Sequence, residues 1–109
     1  MTENILQSLN NNDYAGFSKD FSDTLKNTIT AHVFLSLHDL ISQTSGKYIS
    51  KSTPKLYETE ELDISYDVYD YPCEFEKESV FVAVSTNPDS GKVEGILFDS
   101  DALRKAQAK

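Results

Sequence analysis

The sequence has little of what most often identifies a chemistry. It holds one cysteine, Cys73, so it cannot form an internal disulfide, and the redox compartment stays open. Bases are scarce, with ten Lys and Arg against eighteen Asp and Glu, for a net charge of −8. An acidic chain with no basic patch repels phosphate backbones and anionic lipid surfaces, which argues against nucleic-acid and membrane-surface partners. No run approaches the roughly 18 apolar residues of a membrane span, and no basic segment leads into a long apolar one as in a secretory leader. The reading is therefore a soluble protein, either cytoplasmic or an extracytoplasmic domain excised from its leader. There is no Asp-x-Asp-x-Asp-Gly loop for Ca²⁺, no internal repeat and no low-complexity tract. No motif identifies a reaction, a metal or a cofactor.

What is present favours a folded chain. At 109 residues, one domain spanning 1–109 is the expectation, with a real but modest core. Hydrophobic residues make up 39%, including six Phe and six Tyr, which argues against disorder. The charge is unevenly placed. From Glu58 to Glu78 there are nine acids and a single base, Lys77, so this stretch holds the whole excess. Alternating acids describe a solvated strand face and protect a sheet edge from aggregation. They also leave room for a basic protein partner.

The pattern predicts helices over about 2–45. Ile5, Leu6 and Leu9 share one side of a short helix with Thr2 as its cap, and Asn10-Asn11-Asn12 breaks it. Asp13 caps a second helix, where Tyr14, Phe17, Phe21, Leu25 and Ile29 recur every three or four residues; three aromatics on one stripe need a broad surface to press on. Thr30 caps a third, carrying Val33, Phe34, Leu37, Leu40 and Ile41, with Gly46 as its stop.

A sheet follows over about 56–98, then a short tail at 99–109. Lys47–Lys55 reads as a loop with at most a short strand. In Leu62–Phe75, Ile64, Tyr66 and Val68 alternate in one phase, and Tyr69, Tyr71, Cys73 and Phe75 in the other. A β-bulge produces such a phase change, and a strand covered on both faces is the alternative. Pro72 marks an edge or an irregularity. Val80–Val84 and Val93–Phe98 pair across the Asn87-Pro88-Asp89-Ser90-Gly91 turn, and Gly95 predicts a bend. Ser100 and Asp101 cap a short final helix whose basic end suits its dipole. Helices first and antiparallel strands second make the fold α+β, with the helices gathered on one face of the sheet.

The helix carrying Phe17 and Phe21, the helix carrying Phe34, Leu37 and Ile41, the run Cys73-Glu74-Phe75-Glu76-Lys77 and the ending Gly91-Lys92-Val93-Glu94-Gly95-Ile96-Leu97-Phe98 together resemble small uncharacterised domains of the nuclear-transport-factor-two-like (cystatin-like) superfamily. The loose pattern covers about Asp13 to Phe98; its most specific part covers only the last strand. The resemblance implies a strongly bent sheet wrapped around helices as a cone, often with a pocket at its open end. Members include enzymes, ligand binders and dimerisation modules, so the fold alone decides little.

Phe34, His38, Tyr66, Tyr69 and Tyr71 are the candidates for lining such a pocket. The plainer reading of the tyrosines is strand aromatics that complete a core or an edge. His32 and His38 stand six apart, about 120° around a helix, so they do not share a face for a metal. His38 flanks the apolar stripe and could reach a pocket, though a structural role is the commoner fate of such a residue. Cys73 sits among acids, which raise a thiol pKa, and reads as buried and inert. The expectation is a non-enzymatic binding or interaction domain with a small apolar ligand in the cone, or a homodimer formed through the sheet. The alternative is a small isomerase or dehydratase using His38 and a tyrosine.

Overall fold

Each amino-terminal helix ends where a side chain or a left-handed residue takes over its backbone groups. In the computed structural model, which describes residues 1–61 and 64–107, α1 (Thr2–Asn10) buries Ile5, Leu6 and Leu9. Its cap position falls on Met1 with no side-chain bond, and Thr2, expected as the cap, is a buried first-turn residue instead. Asn12 follows with φ 55°, a left-handed conformation that Asn tolerates. Asp13 Oδ1 accepts from the Gly16 N–H at 3.1 Å and caps α2 (Tyr14–Phe17).

The long second helix expected from the Tyr14–Ile29 stripe is in fact two, α2 and α3 (Asp23–Thr28). Between them Phe21 bridges Val93 in the sheet. The Ser22 N–H donates to the Val93 carbonyl at 2.9 Å, and the Val93 N–H donates to the Asp20 carbonyl at 2.8 Å. These bonds to a strand edge take the place of helical bonds lost at the break. Phe17, Phe21 and Leu25 stay buried through the change.

The third expected helix, α4 (Ala31–Thr44), is capped by Thr30, whose Oγ1 accepts from the Val33 N–H at 3.4 Å. It ends at Gly46, which has φ 81° and where a Cβ would come within 2.7 Å of the Glu76 Cβ. Both facts require glycine there.

Five antiparallel strands follow: β1 (Tyr48–Lys51), β2 (Lys55–Glu61), β3 (Ile64–Phe75), β4 (Ser79–Thr86) and β5 (Val93–Asp99). The order is β1-β3-β4-β5, and β2 also pairs with β3. One edge of the long β3 thus serves two strands in turn: β1 opposite Cys73–Phe75 and β2 opposite Ile64–Asp70. Pro72 lies where they part. Its carbonyl accepts from the Ser52 N–H at 2.8 Å, on the same side of the strand as its missing N–H. The lost donor therefore faces the interruption at Ser52–Pro54 and not the ladder to β4.

The phase change expected within Leu62–Phe75 is not a bulge of β3. Leu62 and Asp63 lie outside the described residues. From Ile64 onward β3 pairs without a shift, with β2 through Asp70 and with β4 from Asp67 to Glu74. Both apolar phases belong to one regular strand: Tyr69, Tyr71, Cys73 and Phe75 take the inward face, and Tyr66 and Val68 lie partly buried on the other. The irregularities sit on other strands, at Ile49 of β1 between Tyr48 and Ser50, and at Glu94 of β5 opposite Ser85 and Thr86, next to Gly95, where a bend was expected. The turn at Asn87–Gly91 is as expected. The Gly91 N–H donates to the Asn87 carbonyl at 2.8 Å, and Gly91 has φ 71°.

The helices pack on one face of this sheet, so the fold is α+β. Phe17, Phe34, Ile41, Val80, Val82 and Val93 lie at the centre of the core. The Phe17 ring stands 5.2 Å from Phe21 and 4.7 Å from Phe34, close enough for edge and tilted contacts. The carboxyl end closes over the same core. Ser100 Oγ accepts from the Leu103 N–H at 3.1 Å and caps α5 (Asp101–Gln107), which buries Leu103. Glu78, in the turn between β3 and β4, ties both ends together: its Oε2 accepts from the hydroxyls of Ser45, after α4, and Ser100, before α5.

Candidate ligand-binding cleft

The inward phase of β3 runs Phe75, Cys73, Tyr71, Tyr69, Asp67. Across the ladder, Cys73 faces Val80, Tyr71 faces Val82, Tyr69 faces Val84 and Asp67 faces Thr86. The helices cover the first part of this row completely. They do not reach its far end. There a cleft of about 430 Å³ is floored by Tyr69, Tyr71 and Val84. Asp67 and Thr86 continue the floor outward, Met1 and Thr2 at the start of α1 form one wall, and Asn87, Pro88 and Gly91 of the turn form another.

The turn wall is held by its own side chain. Asn87 Oδ1 accepts from the Asp89 N–H at 2.8 Å, which fixes Pro88 at the rim. The helix wall is held by a knot of polar groups. The Tyr48 hydroxyl donates to Glu3 Oε1 at 2.7 Å, Gln7 Nε2 donates to Glu3 Oε2 at 2.9 Å, and Lys51 Nζ lies 3.6 Å from Glu3 Oε1. Gln7 and Tyr48, and secondarily Lys51, hold the Glu3 carboxyl below the usual carboxylate range. Burial, with the Glu3 charge beside it, pushes the Tyr48 hydroxyl well above the ordinary tyrosine value. Asn10 completes the attachment: its side chain donates to the Tyr48 carbonyl and accepts from the Tyr48 N–H, both at 2.8 Å, as a neighbouring strand would. The Lys51 ammonium also stands over the Tyr71 ring, 5.7 Å from its centroid.

Of the five candidate lining residues, the structure brings two together in this cleft, Tyr69 and Tyr71. Phe34 is 1% exposed and belongs to the core, between Tyr14 at 5.6 Å and Phe17. His38 lies on α4 with its ring 6.3 Å from Phe34 and its Nδ1 3.6 Å from Asp39 Oδ1. Neither lines the cleft. Tyr66, in the opposite phase of β3, lines a separate hollow of about 310 Å³ with Thr59, Ser85 and Glu94. Cys73 is buried in the covered part of the row, and burial above all pushes its thiol up to about 11.

Asp67, Val84 and Thr86 were not singled out from the sequence. A signal for Asp67 existed, since it continues the i, i+2 series of Tyr71 and Tyr69 toward the strand end. It was masked by the acidic run around it.

The other face of the sheet is largely bare. Phe81 and Leu97 are 51% and 62% exposed there and border a shallow hollow with Asp70, Ala83 and Asp99. Among the described residues, no group of three or more His, Cys, Asp or Glu is placed to hold a metal, and no helix is long and apolar enough to cross a membrane.

Residues 2–95 match a family whose description is "Protein of unknown function (DUF3887)". No curated protein and no solved structure matches the chain.

Proposed function

The chain belongs to the DUF3887 family, and we propose that it acts there as a non-enzymatic binding domain that takes a small ligand in the cleft at the open end of its sheet. The observation that carries this reading is the cleft itself. Its volume of about 430 Å³ is ample for a small molecule, and its floor is aromatic and aliphatic with a few polar groups at the rim. The helices on one face of a five-stranded antiparallel sheet also support reading the fold as a cone of the nuclear-transport-factor-two-like kind, with this cleft at its mouth. His38 stands outside the cleft lining, which leaves the acid–base alternative with His38 and a tyrosine without support from this cavity.

A fragment screen followed by two-dimensional amide NMR tests the reading. Binders should shift the amides of 67–71 and 86–91 saturably. Binders whose shifts collect on the Phe81–Leu97 face and leave the cleft silent would defeat it.

A second reading has its own observation. The exposed Phe81 and Leu97 side chains, adjacent on paired strands, fit a homodimer formed through the outer face of the sheet. Light scattering on the separated protein should give twice the chain mass, and Leu97→Glu should return it to one. A monomer at high micromolar concentration removes the dimer.

A further inference from the structure

Resting on the cleft reading above, we propose that the cleft's ligand is a small organic cation, held between the Asp67 carboxylate and the faces of Tyr69 and Tyr71. Among the described residues that line the cleft, Asp67 has the only charged side chain; its polar companions, Thr2, Thr86 and Asn87, are neutral. An anionic ligand would therefore meet a like charge in the floor; of the cations nearby, Lys51 is already paired with Glu3, which leaves the Met1 amino terminus to offset it. A neutral apolar ligand would strip water from a carboxylate and offer it nothing in return. A cation does neither.

Two further features agree. The first is the floor: two tyrosine rings present the π-faces that attract cations, and the contact strengthens as water is excluded. Lys51, 5.7 Å from the Tyr71 centroid, is a competing cation whose charge is partly offset by Glu3. The second is the register. Asp67 pairs directly with Glu58 on β2, so two carboxylates stand opposite each other on one face of the ladder. Such a pair is unfavourable alone, and a positive charge beside it turns the repulsion into attraction. The cavity is modest and open to solvent, which suits a compact head group carrying a few methyl or methylene groups.

The test uses the whole chain and two probes of nearly the same shape: choline, and its uncharged carbon analogue 3,3-dimethyl-1-butanol. Both are titrated at low salt into wild type and Asp67→Asn, with two-dimensional amide NMR as the readout. Choline should shift the amides of 67–71 and 86–91 saturably and bind about tenfold more tightly than the alcohol, the scale of one cation–π contact with a partly desolvated carboxylate. Asp67→Asn should weaken choline about tenfold while the alcohol still shifts the same cleft amides at equal or higher affinity, which also confirms that the cleft is still formed. If the alcohol binds as tightly as choline, or if Asp67→Asn leaves choline unaffected, the cation is wrong and the cleft still binds ligands. If neither probe moves a cleft amide, the inference and the reading beneath it both fall.

Discussion

The two ends of β3 and β4 use the same alternation and come to opposite fates. At one end, Phe75 and Cys73 on β3 and Val80 and Val82 on β4 point inward and are sealed by helices and by Tyr48. At the other, Tyr69, Tyr71, Asp67 and Thr86 point the same way and remain partly open. The strand period fixes which face a residue takes. How far the cover extends is fixed elsewhere, by where α1 begins and where the turn after β4 folds. The closed end stabilises the fold; the open end is left available to a ligand.

This contrast is tested hardest at Phe34. The side chain is wholly enclosed between Tyr14 and Phe17, so Phe34→Ala removes a large apolar volume that its neighbours cannot refill. A loss of about 3–5 kcal/mol is expected. Urea unfolding followed by far-ultraviolet circular dichroism measures it, and a loss below about 1 kcal/mol would show that the closed end is not the packed core described.

The next effect is at the clasp of the closed end. Glu78→Ala leaves the hydroxyls of Ser45 and Ser100, both buried, without their shared acceptor. A loss of about 1–3 kcal/mol follows from unpairing buried polar groups. Glu78→Gln retains an acceptor oxygen and should recover part of it in the same urea assay.

At the open end the balance reverses. Tyr69→Ala should cost only about 1 kcal/mol or less, because the ring is only partly buried and leaves an open cleft wider rather than a sealed void. The same variant should lose most of any ligand affinity measured by amide shifts. A large loss of stability with intact binding would invert the comparison.

Much of the helix and turn framework was legible in the sequence, because its determinants are local. Asp13 and Thr30 as caps, Gly46 as a stop and the Asn87–Gly91 turn each depend on residues within a few positions. The break between α2 and α3 was not legible. The Tyr14-Phe17-Phe21-Leu25 spacing continues through it, because Phe21 reaches the core from a segment bonded to Val93, some seventy residues away. Asn10 acting as a strand partner for Tyr48 was hidden for the same reason. At the site, the aromatics Tyr69 and Tyr71 stood out by type. Asp67 did not, since an acid that lines a cleft and a solvated one look alike in a run of nine. Phe34 and Tyr66 were grouped with them by chemistry, and only packing separates a core ring from an outer-face ring.

The smallest expected effect lies on the boundary between the two ends, at Glu3. This carboxylate anchors the start of α1, which walls the cleft, to Tyr48, which seals the core. Hydrogen bonds from Gln7 and Tyr48, with Lys51 nearby, lower its pKa in the folded chain below the ordinary value of 4.5. The stabilisation is therefore complete above the unfolded value and is lost as pH falls through the folded one. The side chain is half exposed, so solvent screening leaves only a few tenths of a kcal/mol. Glu3→Gln should accordingly be less stable than wild type at pH 7, with the difference closing as pH falls below about 4.5 in paired urea titrations. Tyr48→Phe removes the strongest link from Glu3 to the sheet and should shrink that pH-dependent difference. If it does so while the closed-end amides keep their exchange protection and those of Ile5–Gln7, which bond back to the first residues of the chain, lose theirs, the knot fixes the cleft wall and not the core. Equal loss of protection at both ends would mean that the two regions open as one unit.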